Sequence, residues 1–172
     1  LLAVTLVGNH DTQPLQLLEA PIEPWFKDPA YSLILLRKQG YPCVFYPDIY
    51  GARYSDKDPD GQNCEVVLEP VANLEKLLKA RTLFAYGPQK DYFDFPTCIG
   101  WTREGDAEHT NSGCAVVISN GDKGVKKMEI GKKHRGKMFR DYLGNHKGTV
   151  LIDKDGFGEF YCEPASVSVW VH

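Results

Sequence analysis

Apolar positions in the first half of the chain form one continuous run and then a helical stripe. Residues 3–7, AVTLV, are apolar or β-branched throughout, which is typical of a strand buried on both faces of a parallel sheet. The segment 25–40 predicts a helix with an apolar face. Within it, Asp28 followed by Pro29 predicts an N-cap and a first helical residue, and Gly40 predicts the end of the helix.

The same order of elements then repeats once. Residues 43–47, CVFYP, form a second apolar run and predict a second strand. A long polar loop is expected next. The segment 70–81 predicts a helix, because its apolar residues are spaced for one helical face; they are Val71, Leu74, Leu77 and Leu78. Strand, helix, strand, helix is the order of βα units in a parallel sheet.

Beyond residue 88 the pattern changes to short strand-like runs divided by turn signals. The runs predicted as strands are CIGWTRE, CAVVIS, VKKMEIG, MFRDYL, TVLID, EFYCE and VSVWVH. Asn-Gly and Asp-Gly turns at a spacing of roughly ten residues are typical of antiparallel sandwiches and barrels. Gly87 and Pro88 break the preceding helix, so we predict two domains, 1–87 and 88–172.

Composition fits an ordinary globular protein and argues against several classes of function. The formal net charge is −3 at pH 7, which predicts no general attraction to nucleic acid or to anionic lipid. No apolar run approaches the roughly 20 residues that a membrane helix needs, and the N-terminus lacks the basic lead-in of a signal peptide. The chain starts without Met and inside a strand-like run, so we expect a piece of a longer protein.

The cysteines are scattered without any CxxC or CxxH pair, and most of them sit beside apolar residues; they are Cys43, Cys64, Cys98, Cys114 and Cys162. An odd, core-like set predicts reduced thiols in a reducing compartment. One disulfide pair with the other thiols free is the alternative.

The stretch VGNHDTQP, residues 7–14, places polar side chains where the first strand ends. In parallel α/β folds, ligand-binding and catalytic groups gather at the carboxyl ends of strands. Asp11 is therefore a candidate catalytic carboxylate, and His10 beside it can hydrogen-bond a ligand hydroxyl. The alternative is that Asp11 or Asn9 only caps a turn.

Two charged segments favour structural explanations. Residues 56–67 copy the first aspartates and the glycine of an EF-hand calcium loop. Because Val67 stands where a bidentate Glu is required, and Pro59 lies at the fourth position, we predict an acidic turn without a metal. Residues 123–140 are rich in lysine but lack the interleaved aromatic residues of a nucleic-acid surface, so we predict solvated hairpin faces.

Aromatic residues occur in both predicted domains. The aromatic residues expected near the mouth of the first domain are Trp25, Tyr46, Tyr50 and Tyr54. Trp101 and Trp170 lie within predicted sandwich strands, so we expect them in the core.

The segment AVTLVGNHDTQPLQ resembles the fourth sequence motif of the α-amylase family of glycoside hydrolases, in which a strand ends in Asn-His-Asp. The resemblance continues through WFKDPAYSLILLRKQGYPCVFYPDIYG, IGWTREGD, NSGCAVVISNG and GFGEFYCEPASVSVWV. Within the family, the chain is similar to the liquefying-type bacterial members and the intracellular fungal members. It implies an α/β plus all-β fold. The last two βα units of a (β/α)8 barrel would be followed by a C-terminal antiparallel Greek-key β-sandwich.

The resemblance also implies an activity, the endo-hydrolysis of α-1,4-glucosidic bonds in starch or glycogen by a retaining mechanism. Asp11 matches the carboxylate that stabilises the transition state, and His10 would hydrogen-bond the same glucose. Asn9 would orient the turn and Gln13 would serve a neighbouring subsite. The nucleophile and the general acid follow earlier barrel strands, so the chain alone is expected to be inactive.

Two alternatives remain open at this stage. A glucan transglycosylase of the same family shares the Asn-His-Asp motif, because acceptance of water or sugar is decided elsewhere in the cleft. A non-catalytic glucan-binding module is the alternative from another class, in which the sandwich acts without the barrel.

The resemblance bears on cofactors and partners as well. It implies calcium in the full-length enzyme, with ligands outside this chain. Pro96, Thr97 and Asn120 stand where related enzymes carry ligands for an additional calcium, so we predict no metal ligand here. Pro47 replaces a glycine that the family usually shows.

The expected partner is an α-glucan, with no nucleic acid and no membrane. The full-length protein is expected to be a cytoplasmic monomer, with secretion as the alternative.

Overall fold

The computed structural model describes residues 3–172. The helices are α1 (Pro24–Leu36), α2 (Tyr46–Tyr50) and α3 (Leu74–Phe84), with a 3-10 turn at Lys132–His134. The strands are β1 (Val4–Leu6), β2 (Tyr41–Cys43), β3 (Ala52–Lys57), β4 (Asn63–Leu68), β5 (Gln89–Tyr92), β6 (Cys98–Arg103), β7 (Cys114–Ser119), β8 (Gly124–Glu129), β9 (Met138–Asp141), β10 (Thr149–Leu151), β11 (Phe157–Cys162) and β12 (Ser166–Val171). Within these residues no helix is both long and apolar enough to cross a membrane.

Strands β1 and β2 pair in parallel, with Val4 opposite Tyr41 and Leu6 opposite Cys43. The predicted parallel pairing is therefore confirmed, and α1 lies between the two strands in the chain. The bounds predicted for the second strand, 43–47, are wrong, because β2 ends at Cys43 and α2 begins at Tyr46. The prediction that the first strand is buried on both faces is wrong, since Val4 is 65% exposed. The sheet has two strands among the described residues, so no neighbouring strand covers it. A closed barrel is not present in this part of the chain.

Helix α1 begins earlier and ends earlier than predicted. Its N-cap is Glu23 and Pro24 is its first residue, so Pro29 lies inside the helix and Asp28 is not the cap. The carboxylate of Asp28 instead accepts hydrogen bonds from the backbone and side chain of Asn73. Gly40 does not end the helix either; it has a positive φ of 86° in the turn that leads into β2.

Residues 52–68 form an antiparallel hairpin rather than the predicted polar loop. Strands β3 and β4 run in register from Ala52 opposite Leu68 to Lys57 opposite Asn63. The sequence missed them because most of their side chains are polar or exposed. At the tip, Asp58 Oδ1 accepts from the amides of Asp60 and Gln62, which makes the acidic segment a turn.

The predicted helix at 70–81 is confirmed as α3, which buries Leu74, Leu77 and Ala80. It contacts α1, and both helices pack against one face of the second half of the chain. Val71 precedes the helix instead of lying in it, and its amide donates to the carbonyl of Asp48.

All the strands predicted in the second half are confirmed, and β5 is an additional strand. Six of them form one sheet in the order β10-β9-β12-β7-β6-β5, while β8 and β11 form a separate antiparallel pair. This sheet-rich, antiparallel arrangement is consistent with the predicted C-terminal β-sandwich.

The core lies on both faces of the six-stranded sheet. On one face Trp101, Val116 and Val169 pack against α1 and α3. On the other face Trp170 packs with Phe139 and Phe160. Trp101 and Trp170 are fully buried, which confirms the prediction that both tryptophans belong to the core. All five cysteines are free thiols, as predicted.

Two histidines pack together at one end of the sheet. The rings of His134 and His172 are 5.2 Å apart, and both contact Phe139. Burial lowers the pKa of His134. Burial, reinforced by Lys137 and by His134, lowers the pKa of His172 to about 4 from its ordinary value of 6.5. Both rings are therefore neutral in the folded protein at pH 7.

These two histidines predict a pH dependence of folding stability. Between pH 6.5 and about pH 4 the unfolded chain binds protons that folded His172 does not, so the free energy of unfolding falls as the solution is acidified through this range. The variant His172→Phe keeps the ring but cannot titrate, and should show a shallower fall. Urea unfolding at a series of pH values measures it. Above pH 7 the two proteins should have parallel profiles, and equal slopes below pH 6.5 would contradict the assignment.

Candidate functional site

The turn after β1 is held by Asn9 and Thr12. Asn9 Oδ1 accepts hydrogen bonds from the backbone amides of Asp11 at 3.1 Å and Thr12 at 3.0 Å, and from the Thr12 hydroxyl at 3.1 Å. The Thr12 hydroxyl in turn accepts from the Asn9 amide. An asparagine that binds the amides following it is a standard way to close a turn. The cap is thus Asn9, and the carboxylate of Asp11 takes no part in it.

The side chains of His10 and Asp11 project into solvent. The Asp11 side chain is 54% exposed and that of His10 is 81% exposed, and His10 Nε2 lies 3.3 Å from Asp11 Oδ1. An ion pair this exposed contributes little to stability. The carboxylate of Asp11 is therefore accessible at the end of a parallel strand.

A cavity of about 500 Å³ lies beside this turn. Among the residues predicted for the site, Asn9 and Gln13 line it, whereas His10 and Asp11 do not. Trp25 lines it as well. The structure thus brings two of the predicted residues to the cavity wall and leaves the other two in the exposed part of the same turn.

Hairpin β3–β4, which was missed from the sequence, contacts the segment that follows the turn. Tyr54 Oη donates to the carbonyl of Pro14, and Gln16 Nε2 donates to Asp56 Oδ2 at 3.0 Å. The hydroxyl of Tyr54 is therefore used to attach the hairpin to the backbone at Pro14. Tyr46 and Tyr50 are exposed and lie against each other on α2, with ring centroids 4.7 Å apart.

A buried carboxylate, Asp48, lies at another part of the cavity wall. It is 2% exposed, and it accepts hydrogen bonds from Lys27 Nζ at 2.6 Å and from the hydroxyl of Tyr31. Burial, together with the charge of Asp48, raises the pKa of Tyr31. Lys27 and Tyr31 were missed from the sequence, although their spacing of four residues puts them on one face of a helix.

Pro47 lies at the start of α2, and its carbonyl accepts from the amide of Gly51 at 2.8 Å. A proline fits the first turn of a helix, because the amides of that turn have no helical acceptor. The substitution of a family glycine by Pro47 is therefore accommodated.

No group of three or more His, Cys, Asp or Glu side chains stands close enough to hold a metal ion within residues 3–172. In the EF-hand-like segment, Asp58 Oδ1 accepts from two amides of its own turn.

Comparison with known proteins identifies the family of this chain. The sequence profile described as "Alpha-amylase C-terminal" matches residues 114–171. The chain belongs to the α-amylase family and corresponds to a C-terminal portion of its members.

Two curated relatives match almost the whole chain. A cytoplasmic α-amylase of Escherichia coli (strain K12) is 52% identical over 169 residues, which is 98% of this chain and 34% of that protein. An α-amylase of Geobacillus stearothermophilus is 48% identical over 170 residues, 99% of this chain and 29% of that protein. The chain thus spans about a third of the length of these relatives.

Solved structures share the fold at low sequence identity. The α-amylase I of Eisenia fetida superposes with a TM-score of 0.65 at 13% identity, covering 99% of this chain and 41% of that one. A cyclomaltodextrin glucanotransferase, CldA, superposes with a TM-score of 0.64 at 20% identity, covering 98% of this chain and 36% of that one.

The buried carboxylate predicts an order of stabilities. Lys27→Met leaves Asp48 charged and unpaired in the interior and should lower the free energy of unfolding by about 3–5 kcal/mol. Tyr31→Phe removes one hydrogen bond to a charged group and should cost about 1.5–3 kcal/mol. Denaturant unfolding measures both. The control is Lys79→Met, which breaks the exposed pair with Glu75 and should cost no more than about 0.5 kcal/mol. Equal losses for the Lys27 and Lys79 variants would contradict the role of Asp48.

Proposed function

We propose that this chain is the C-terminal portion of an endo-acting hydrolase of α-1,4-glucosidic bonds, with starch or glycogen as substrate. In this proposal residues 1–87 form the last two βα units of a (β/α)8 barrel, and residues 88–172 form a Greek-key β-sandwich domain. The observation that carries the proposal is the carboxylate of Asp11, free of turn contacts and accessible at the end of a parallel strand.

Asp11 would stabilise the transition state. In a retaining glycosidase one carboxylate attacks the anomeric carbon and a second group, about 5 Å away, protonates the leaving oxygen. Positive charge develops on the sugar ring as the bond breaks. A further carboxylate held nearby interacts more strongly with that cationic state than with the neutral substrate, and this difference is what accelerates the reaction.

The neighbouring residues would position the sugar. His10 would hydrogen-bond hydroxyls of the same glucose as Asp11, its Nε2 being 3.3 Å from the carboxylate. Asn9 would act indirectly, because its side-chain oxygen is used by the turn amides that orient Asp11. Gln13 lines the cavity and would serve a neighbouring subsite.

The nucleophile and the general acid would be supplied by barrel strands outside this chain. Asp48, the other carboxylate beside the end of a parallel strand, does not suit either role, because Lys27 and Tyr31 occupy its oxygens and it is buried. The chain alone would therefore be inactive.

The calcium expected for the full-length enzyme would be bound by residues outside this chain. Its described residues offer no cluster of three acidic, histidine or cysteine ligands, so they do not suit a calcium site and no catalytic step is assigned to the ion here.

We propose a cytoplasmic location, which the five free thiols and the name of the Escherichia coli relative support. Secretion is the alternative, and fractionation of cells that express the native gene decides between them. The full-length protein is proposed to be a monomer whose partner is an α-glucan, without nucleic acid or membrane.

The role of Asp11 is tested in the full-length enzyme with Asp11→Asn. The amide cannot stabilise developing positive charge, so kcat on a soluble α-glucan should fall by several powers of ten, which corresponds to about 1.4 kcal/mol of lost transition-state stabilisation per tenfold. Unfolding should be unchanged, because the carboxylate makes no contact that the turn depends on.

The matched control is Asp60→Asn, an exposed aspartate in the β3–β4 turn, which should leave kcat unchanged. Near-normal kcat in the Asp11 variant would rule out the catalytic assignment, and retained glucan binding without hydrolysis by the wild-type protein would favour the binding-module alternative. Product analysis with maltoheptaose separates hydrolysis from transglycosylation, since a transglycosylase forms products longer than the substrate.

A further inference from the structure

Four cationic side chains converge on a pocket of about 230 Å³ at the C-terminal end of α1. The residues that line it are Arg37, Lys38, Arg81, Thr82, Ala85, Tyr86 and Arg103. They come from the segment after α1, from the last turn of α3 and the two residues after it, and from β6, which are far apart in the sequence. No carboxylate is among these lining residues, so the pocket carries an excess of positive charge.

The protein neutralises this charge only in part. Arg37 Nη2 pairs with Asp91 Oδ2 at 2.6 Å. Arg81 Nη1 donates to the carbonyl of Leu35 at 2.5 Å, a contact with the partial negative charge of the helix C-terminus. Lys38 is exposed and makes no salt bridge among the described residues. Asp91 is paired with Arg37, and Asp106 lies within electrostatic range of Arg103, so two carboxylates stand against four cations.

Arg103 is the most deeply buried of these cations. It is 7% exposed, and its hydrogen bonds are long, 3.3 Å from Nε to the carbonyl of Gly87 and 3.4 Å from Nη1 to that of Leu36. Within residues 3–172 its Nη2 has no hydrogen-bond acceptor. A buried guanidinium without an anion pays a desolvation cost that two distant carbonyls offset poorly.

Arg37 also has an unused donor. Its Nε is buried and has no hydrogen-bond partner in the described part of the chain. The guanidinium is held in place, because Asp91 binds Nη2 and the ring of Phe93 lies 4.8 Å from its central carbon. Buried donors in native proteins are nearly always paired, so the Nε of Arg37 lacks the acceptor that such a group normally has.

We propose that this pocket binds the phosphate dianion, either free or as the phosphoryl group of a phosphate monoester. A tetrahedral dianion offers several acceptor oxygens at once, and planar guanidinium groups bind phosphate oxygens in pairs. The ligand would accept from Nη2 of Arg103 and would lie in the positive field of Arg37, Arg81 and Lys38. It would lie at the end of α1 opposite to Lys27, and it is independent of the proposed hydrolytic activity.

The test measures binding of inorganic phosphate to the full-length chain by calorimetry and by the shift in the thermal unfolding midpoint. Potassium chloride at matched ionic strength is the reference. Phosphate should bind at least tenfold more tightly than chloride and should raise the midpoint. Phosphate no more effective than chloride would overturn the proposal.

The variant Lys38→Glu reverses one charge of the pocket on an exposed side chain, and the backbone hydrogen bond of residue 38 to Gln89 does not depend on it. Its affinity for phosphate should be about tenfold or more below that of the wild type. The control Lys154→Glu makes the same change of net charge at an exposed turn outside the pocket, and should bind normally. Equal weakening by both variants would overturn the site, because it would indicate a general charge effect.

Arg81→Lys provides a second variant, which keeps the positive charge but loses the planar guanidinium group that can bind two phosphate oxygens at once. It should weaken phosphate binding by a smaller factor than Lys38→Glu, and wild-type affinity in both variants would refute the pocket.

Glucose 6-phosphate distinguishes the two sources of the ligand. Tighter binding than inorganic phosphate assigns a monoester, equal or weaker binding assigns free phosphate, and both results support the site.

Discussion

The carbonyl groups at the C-terminal end of α1 connect the two parts of this fold. A helix end leaves its last carbonyls without helical donors. Here Arg81 donates to Leu35, and Trp101 and Arg103 donate to Leu36. Because Trp101 is fully buried between α1 and the six-stranded sheet, α1 cannot shift without opening the core. The position of α1 in turn fixes Lys27 and Tyr31, and through them Asp48.

The sequence predicts those elements whose stability comes from a regular apolar pattern. Strands such as β7, which is buried along its whole length, and helix α3 follow from local patterns alone. The limits of α1 do not, because its end at Leu36 is set by donors from Arg81 and Trp101, distant in the chain. Hairpin β3–β4 was missed for a related reason. Its strands are held by mutual backbone pairing and carry few buried side chains.

In the candidate site, Asn9 and Asp11, two residues apart, have different tasks. Asn9 supplies the hydrogen bonds that shape the turn, which leaves the Asp11 carboxylate without a structural task. The motif predicted that both side chains lie at a strand end, but which of them caps the turn depends on three-dimensional geometry. The turn therefore fixes the backbone of Asp11, while its carboxylate oxygens stay accessible to solvent.

The two sites proposed for this chain lie at opposite ends of one helix. Thirteen residues in α1 correspond to a length of about 20 Å, and buried contacts hold both ends. Energetic coupling between distant sites requires an element with two arrangements that both ligands bias. In this structure α1 is held by Trp101 near its C-terminal end and by Asp48, through Lys27 and Tyr31, near its N-terminal end. An anion that binds the cationic pocket of the folded chain would stabilise the fold by an amount that grows with its concentration relative to its Kd.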